Sequence, residues 1–362
     1  LIKNIKICFF PGALNLGGVG KLTINLAKEM VERGYTVHFF LTKTGGDYMD
    51  EIPEGVQVFN GSKGALRSII PFIKYLRAEQ PTAVISARDY LNYVNIICTG
   101  IFSRSSKIIT SVHVDYSGMP IEESWGSRVL NFFGRVLYPK ADKIVAVSKG
   151  VAVDFASRFR RPIDEIDVIY NPTYVPEKYV ISSAIKNEKF FHEDKDVIIA
   201  VGRMKEQKNF TLLIKAFIEV YAQRPCRLVI LGEGDQRAQL EKLVSAAGLV
   251  DEVYMPGYVE NPIDYIRRSD LFVMSSSWEG FGNVIVEALG VGIKIVSTDC
   301  PSGPAEILEN GKYGILVPIN SVSNMKDAIL KALAMQESPE RLIARAHDFS
   351  VERITTQYLK LL

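Results

Sequence analysis

From end to end the chain alternates short, apolar, β-branched runs with stretches of helical period, the pattern of parallel sheets carrying helices on both faces. Lys6–Phe10, Thr36–Leu41, Val56–Asn60, Ala83–Ala87, Lys107–His113 and Lys143–Val147 read as strands. After the first of them Ile24, Ala27 and Val31 share one face of a helix predicted over Lys21–Arg33, which Gly34 ends. Near Asn171-Pro172 the series breaks into a stretch with Pro172, Tyr174, Pro176 and Tyr179, then into charged, aperiodic residues through Asp196. A second series starts afresh, with strands at Val197–Val201, Arg227–Leu231, Glu252–Met255, Asp270–Met274, Lys294–Ser297 and Gly314–Val317. Its first helix is predicted over Asn209–Tyr221. A length of 362 residues suits two cores better than one. The expected fold is therefore α/β, two tandem Rossmann-like domains, 1–171 and 172–349, facing across a cleft lined by the carboxyl ends of their strands. The last segment, 350–362, places Ile354, Tyr358 and Leu361 at helical spacing and is predicted to dock on a domain surface.

Composition excludes several classes. No apolar run approaches the length that spans a bilayer, and the first ten residues lack the pattern of a secretory leader. The four cysteines, Cys8, Cys98, Cys226 and Cys300, are scattered, so they read as reduced thiols in or near the core rather than as disulfides or a zinc site. A cytoplasmic location follows as the expectation. Net charge is +2, unevenly spread: residues 1–170 hold 21 Lys/Arg against 16 Asp/Glu, so the remainder carries −3. The basic amino half suits an anionic surface or partner.

The stretch Ser275 to Gly290 carries the densest chemistry. A strand runs into a Ser- and Gly-rich loop holding Trp278, Glu279, Gly280, Phe281 and Gly282, and Asn283 reads as the N-cap of the next helix, with Glu287 one turn in. The uncapped N–H groups of a first helical turn seat a phosphate. Two carboxylates beside such a seat are poor phosphate ligands but good acceptors for sugar hydroxyls, which suggests a sugar nucleotide. Arg203 and Lys208 follow another strand of the same sheet and could converge on one anion, Arg as a fork and Lys as a point charge.

Gly17-Gly18-Val19-Gly20-Lys21-Leu22-Thr23 nearly spells a phosphate loop. Asn15 stands where its first Gly belongs and Leu22 where the magnesium-holding Ser/Thr belongs, which leaves a partitioning-type ATPase as an alternative class and a flexible Gly-Gly turn as the surviving feature. His113 ends a strand at the rim where ligands bind; His38 reads as buried structure, His192 and His347 as surface. Asp194-Lys195-Asp196 reads as a solvated turn. Two helices, Gly64–Glu79 and the one through Leu130, Phe132, Phe133, Val136 and Leu137, carry Arg67, Lys74, Arg77, Arg128 and Arg135, and read as core-packed helices or as a surface that meets anionic lipid.

Jointly, the Gly17-Gly18 loop, His113, Arg203 with Lys208, and Glu279-Gly280-Phe281-Gly282 with Glu287 at Glu-x7-Glu spacing resemble the family-4 retaining glycosyltransferases of GT-B architecture, over nearly the whole chain. The resemblance implies a catalytic set of His113, Arg203, Lys208 and Glu279. Arg203 and Lys208 would hold the donor diphosphate, and the backbone at Gly17 and Gly18 would lie against phosphates or sugar. Glu279 with Phe281, Gly282 and Asn283 would hold the donor sugar, Glu287 the ribose, and Val259 the base. It implies no metal and no cofactor, a UDP-sugar donor carrying a hexose or N-acetylhexosamine, and a glycan or polyprenyl-linked acceptor in bacterial surface polysaccharide synthesis. Peripheral contact of the amino domain with the anionic inner membrane, and a last helix crossing back onto that domain, belong to the same expectation. A non-catalytic nucleotide-binding module is the remaining alternative.

Overall fold

The computed structural model is described for residues 5–14, 17–43, 45–62, 64, 66–116, 125–179, 185, 188–191 and 195–362. It comprises two compact units, Leu1–Thr173 with Val351–Leu362, and Tyr174–Ser350.

In the first unit the elements run β1 (Lys6–Gly12), α1 (Gly18–Glu32), β2 (Thr36–Leu41), β3 (Gln57–Asn60), α2 (Ile69–Glu79), β4 (Ala83–Ala87), α3 (Asp89–Phe102), β5 (Lys107–Val112), α4 (Trp125–Leu137), β6 (Lys143–Ala146), α5 (Lys149–Phe159) and β7 (Ile166–Val168). All seven strands are parallel, in the order β3-β2-β1-β4-β5-β6-β7. One face of the sheet packs α1 through Ile24, Ala27 and Met30; the other packs α2 and α3 through Phe72, Tyr75, Leu76, Leu91 and Cys98. Each central strand therefore reads as an apolar run, being covered on both sides.

The second unit runs β8 (Asp196–Val201), α6 (Phe210–Tyr221), β9 (Cys226–Leu231), α7 (Arg237–Ala246), β10 (Val253–Gly257), α8 (Pro262–Arg267), β11 (Leu271–Met274), α9 (Asn283–Val291), β12 (Lys294–Thr298), α10 (Pro304–Ile307), β13 (Ile315–Val317), α11 (Val322–Ala334) and α12 (Pro339–Ala346). Its six strands are parallel in the order β10-β9-β8-β11-β12-β13. In both sheets the chain reverses its direction of winding once, between β1 and β4 and between β8 and β11. The loops leaving the carboxyl ends of those pairs are where open α/β sheets take ligands.

The last helix, α13 (Val351–Leu359), returns to the first unit, where Ile354, Tyr358 and Leu361 join the core on the α1 face. Arg33, which caps the end of α1, holds it by donating to the Glu352 carbonyl at 2.7 Å and to Thr356 Oγ1 at 2.8 Å.

Three sequence expectations are corrected. The helix placed at Lys21–Arg33 begins at Gly18, so Gly17 is its cap residue and Gly18 its first residue. The helix placed at Gly64–Glu79 begins at Ile69, because Ser68 spends its hydroxyl on the Ser62 and Gly64 carbonyls and closes the preceding turn. The strand Ile166–Val168 was not anticipated: three residues, one of them Asp167, carry too little apolar pattern to register.

Candidate active site

The sequence of the second unit brings two loops side by side. β8 and β11 are neighbours, in register at Ile198 and Leu271, so Gly202–Asn209 and Ser275–Gly282 leave the same edge at the point where the winding reverses. Hydrogen bonds lace them together. Ser277 N donates to the Gln207 carbonyl at 2.8 Å, Gln207 Nε2 to the Trp278 carbonyl at 3.0 Å, and Ser275 Oγ to the Lys208 carbonyl at 2.8 Å. Asn209 sits at a left-handed φ of 45° and caps α6, its Oδ1 accepting from Leu212 N. That cap fixes where the residue before it, Lys208, leaves the loop.

Lys208 and Glu279, 71 residues apart, meet here. Lys208 Nζ lies 2.6 Å from Glu279 Oε1, and the same oxygen accepts from Ser276 Oγ at 2.7 Å. Glu279 is only 7% exposed, so its charge is held by a partner rather than by water. The stem of Lys208 lies across Gly202, where an added Cβ would stand 2.9 Å from Cε. Arg203 is the next residue and is exposed. Lys208 is thus a pre-positioned cation whose ammonium has donors beyond the one Glu279 takes.

A third loop, after β12, closes against these two. Thr298 Oγ1 donates to the Ser276 carbonyl at 2.6 Å and Glu279 N to the Pro301 carbonyl at 3.3 Å. Gly303, at φ +106°, lies so close to Phe281 that a Cβ there would be 1.7 Å from its carbonyl oxygen. Burial pushes the Cys300 thiol in this loop up to about 12, with the Glu279 charge adding to the effect. Sequence reasoning passed over this loop, and over Gly232-Glu233-Gly234 after β9. The latter packs as tightly: Gly202 N donates to the Leu231 carbonyl and Met204 N to the Glu233 carbonyl, each at 2.9 Å, and a Cβ on Gly232 would be 1.9 Å from the Gly202 oxygen. The Gly-x-Gly after an apolar run was the available signal.

Asn283 is not the N-cap of α9. Gly282 is, at φ 101°, a left-handed entry that a residue without Cβ makes at little cost, and no side chain caps the first turn. The donors of that turn keep the positive end of the helix dipole uncovered by a capping side chain. Phe281 is buried edge-on against Phe349 at 5.6 Å, so it offers backbone rather than ring to the loop surface. Glu287 is half-buried one turn into α9, and its charge, after burial, raises the Tyr179 phenol further. Val259 is half-buried in the loop that follows β10.

The first unit offers a different rim. His113 follows β5, and its Nε2 lies 2.9 Å from Ser111 Oγ. Burial pushes its pKa down to about 4, with the Arg88 charge lowering it further, so the ring is neutral at pH 7. It borders a hollow with space for about 20 Å³ of water, roughly one molecule, lined also by Pro11, Val19, Asn171 and Tyr358 of α13. Gly17 and Gly18 are both exposed at the start of α1, which no side chain caps. Lys21 pairs with Glu51 and lies over the Tyr48 ring, while Thr23 Oγ1 donates to the Val19 carbonyl within its own helix. Lys21 is thereby engaged away from the role that a phosphate loop requires of its lysine.

Just beyond His113, Tyr116 is pinned three ways. Its hydroxyl donates to Asp89, its N–H to Asp154 Oδ2 at 2.9 Å, and the Arg158 guanidinium covers its ring at 4.2 Å. Asp89 also accepts from Tyr138 at 3.1 Å. Neither aspartate stood out in the sequence, since nothing local marks a carboxylate whose partners are remote.

Of the other expectations, His38 is buried, 3.1 Å from the Tyr75 hydroxyl, and His347 is exposed with its ring against Tyr174. His192 and Asp194 lie outside the described residues. Lys195 and Asp196 are less solvated than a free turn: they pair with Glu252 and Arg224 at 2.7 and 2.5 Å.

Comparison with known proteins agrees with this geometry. The family described as Glycosyltransferase Family 4 matches residues 16–174, and that described as Glycosyl transferases group 1 matches residues 182–349. A Campylobacter jejuni N-acetylgalactosamine-N,N'-diacetylbacillosaminyl-diphospho-undecaprenol 4-alpha-N-acetylgalactosaminyltransferase is 28% identical over 88% of each chain. The Bacillus anthracis N-acetyl-alpha-D-glucosaminyl L-malate synthase is 22% identical over 98% of this chain and 95% of its own. Among solved structures, Anabaena HepE in complex with UDP superposes with a TM-score of 0.81 at 20% identity, covering 98% of this chain and 99% of its own. A glycosyltransferase from Rickettsia africae gives the same TM-score at 18% identity, covering 99% and 97%. Two Rossmann-like sheets, a laced rim at the winding reversal of the second, and two adjoining family matches lead to one assignment: the chain belongs to the family-4 glycosyltransferases.

Proposed function

We propose that this enzyme transfers a hexose or N-acetylhexosamine from a UDP-sugar to a lipid-linked glycan, with retention of the anomeric configuration and without a divalent metal. The observation that carries the reading is the fixed Lys208 ammonium, held 2.6 Å from Glu279 inside the laced rim of the second unit. Breaking a sugar–phosphate bond leaves a diphosphate whose growing charge must be met in the transition state. Lys208, with Arg203 and the uncapped start of α9, supplies fixed positive charge for that purpose. Glu279 then has two roles: it orients Lys208, and it accepts from hydroxyls of the donor sugar alongside the Phe281–Asn283 backbone. Glu287 is assigned to the ribose and Val259 to the base.

In the first unit, His113 and the Gly17-Gly18 backbone are assigned to the transferred sugar and the phosphates. A neutral imidazole suits that place, because it accepts or donates one hydrogen bond without competing for the anion. Retention is assigned to a same-face displacement in which the departing phosphate oxygen takes the acceptor proton. The C–O bond to phosphate breaks as the acceptor oxygen bonds to the anomeric carbon.

A polyprenyl-diphosphate acceptor is favoured by the Campylobacter relative, whose name specifies a diphospho-undecaprenol substrate. Among the described residues no helix is long and apolar enough to cross a membrane. Incubation with UDP-sugars and a polyprenyl-diphosphate glycan, followed by NMR of the product, tests the reading. The expected product carries the anomeric configuration of the donor; an inverted product, or nucleotide hydrolysis with no transfer to any glycan, would refute it.

A further inference from the structure

His113 is tied to two buried hydroxyls, one of them from the far end of the chain. Ser111 stands two residues earlier on β5 and Tyr358 on α13, and both are buried. Ser111 Oγ lies 2.9 Å from His113 Nε2 and 3.5 Å from the Tyr358 hydroxyl. Helix α13 is fastened to the same strand a second time, where Lys107 Nζ donates to the Leu361 carbonyl at 3.2 Å. Among the described residues the two hydroxyls and the imidazole make no other hydrogen bond, so His113 Nδ1 has no protein partner. The ring itself is only half-buried, at the rim where the sheet's carboxyl ends open.

Counting protons along this row decides which way it runs. Burial raises the Tyr358 phenol and lowers the imidazole, so at pH 7 the phenol keeps its proton and the neutral ring carries one N–H. A serine hydroxyl has one proton to give and can also receive one. In one order the phenol donates to Ser111, Ser111 donates to Nε2, and the ring proton sits on Nδ1. Every buried hydroxyl proton then has an acceptor. In the other order Nε2–H donates to Ser111 and Ser111 donates to the phenol oxygen. The phenol proton is then left, inside the core, with no protein acceptor among the described residues. A buried donor without an acceptor costs more than one hydrogen bond returns. The first order also runs from the better donor, a phenol, to the better acceptor, an imidazole nitrogen.

We infer that Ser111, backed by Tyr358 of the last helix, is a positioning residue that fixes His113 as the Nδ1–H tautomer, so that the ring presents a hydrogen-bond donor, and not a base, to an oxygen of the transferred sugar. The inference rests on the proposed placing of His113 beside that sugar and narrows it. A ring whose lone pair is taken by Ser111 does not remove the acceptor's proton, which leaves that step to the departing phosphate oxygen.

The tautomer is read without substrate, by nitrogen NMR of the imidazole rings at pH 7, with His113 assigned by its absence in His113→Asn. The wild type should carry the proton on Nδ1. So should Ser111→Thr, which keeps the hydroxyl, and Tyr358→Phe, in which the serine proton still has Nε2 as its acceptor. Ser111→Ala should move the proton to Nε2 in a large share of molecules. Ser111→Ala combined with Tyr358→Phe should do the same with no phenol left unpaired, keeping the thermal midpoint near that of the wild type. In transfer assays both alanine variants should lose about fivefold in kcat/KM, as for one neutral hydrogen bond, and Ser111→Thr should recover it. A wild-type proton on Nε2, or a tautomer that Ser111→Ala leaves unchanged, would overturn the inference. The expected tautomers with equal rates in every variant would uphold the relay and refute instead the placing of the sugar at His113.

Discussion

The two sheets share a strand order on either side of their winding reversals, yet their rims differ in kind. In the second unit three loops are tied by side-chain and backbone bonds around one charged pair, Lys208 and Glu279. In the first, the rim holds a neutral His113 and an uncapped Gly17-Gly18 turn, with Tyr116 pinned beside them. The same architecture thus holds a buried charge pair in one place and a neutral imidazole beside an uncapped glycine turn in the other. On the proposed function, a donor nucleotide presents the same diphosphate whatever its sugar, and a rigid cation suits it.

That contrast breaks most sharply at Lys208. On the proposed function Lys208→Ala removes a transition-state charge, and it leaves Glu279 buried without its cation, so turnover should fall on the order of 100-fold or more. Stability should fall by about 3 kcal/mol. Replacing both partners, Lys208→Met with Glu279→Leu, should restore most of the thermal midpoint and none of the activity. Recovery of activity in the double variant would show that the pair is only structural.

Next in size is Gly303→Ala, which sets a methyl 1.7 Å from the Phe281 oxygen at a backbone φ of +106°. The loop must move, at a cost of roughly 2–4 kcal/mol for combined overlap and strain. Gly64, also at positive φ but with nothing near its Cβ position, is the control. Gly64→Ala should cost only the ~1 kcal/mol of the left-handed backbone. Equal midpoints for the two variants would contradict the close packing of the second unit's rim.

His113 sharpens the comparison from the other side. Its folded pKa, about 4, lies below the ordinary value of 6.5. The unfolded chain therefore binds the proton first, and stability contributed by the neutral ring is lost as pH falls through that window. Urea titrations from pH 7 to pH 4 should show a slope in the wild type that shrinks in His113→Asn. An unchanged slope would place the pH dependence elsewhere.

The smallest expected effect is at Arg33, whose two bonds to α13 are exposed. Arg33→Ala should cost no more than about 1 kcal/mol, since Ile354, Tyr358 and Leu361 hold the helix by burial. A larger loss would mean that polar contacts, not the core, fasten it.

Much of this was legible because burial writes itself into local pattern. Strands covered on both faces appear as apolar runs, and loops at their ends carry Gly, Ser and Asn, which is why Arg203, Lys208, Glu279 and His113 could be placed at strand ends beforehand. The Lys208–Glu279 contact was not legible, since a pair 71 residues apart leaves no trace in periodicity. The cap of α9 was misplaced by one residue because φ at Gly282, not the side chain of Asn283, decides the helix entry. Ile97 and Ile101 drew no notice in the sequence, and the fold leaves them exposed on α3.

The most direct measurement is the initial rate of sugar transfer in EDTA, for the wild type and for Arg203→Ala. A diphosphate met by fixed side chains predicts a wild-type rate unchanged by the chelator and a variant rate lower by about 100-fold under both conditions. A wild-type rate abolished by EDTA and restored only by magnesium, with Arg203→Ala near normal, would contradict it.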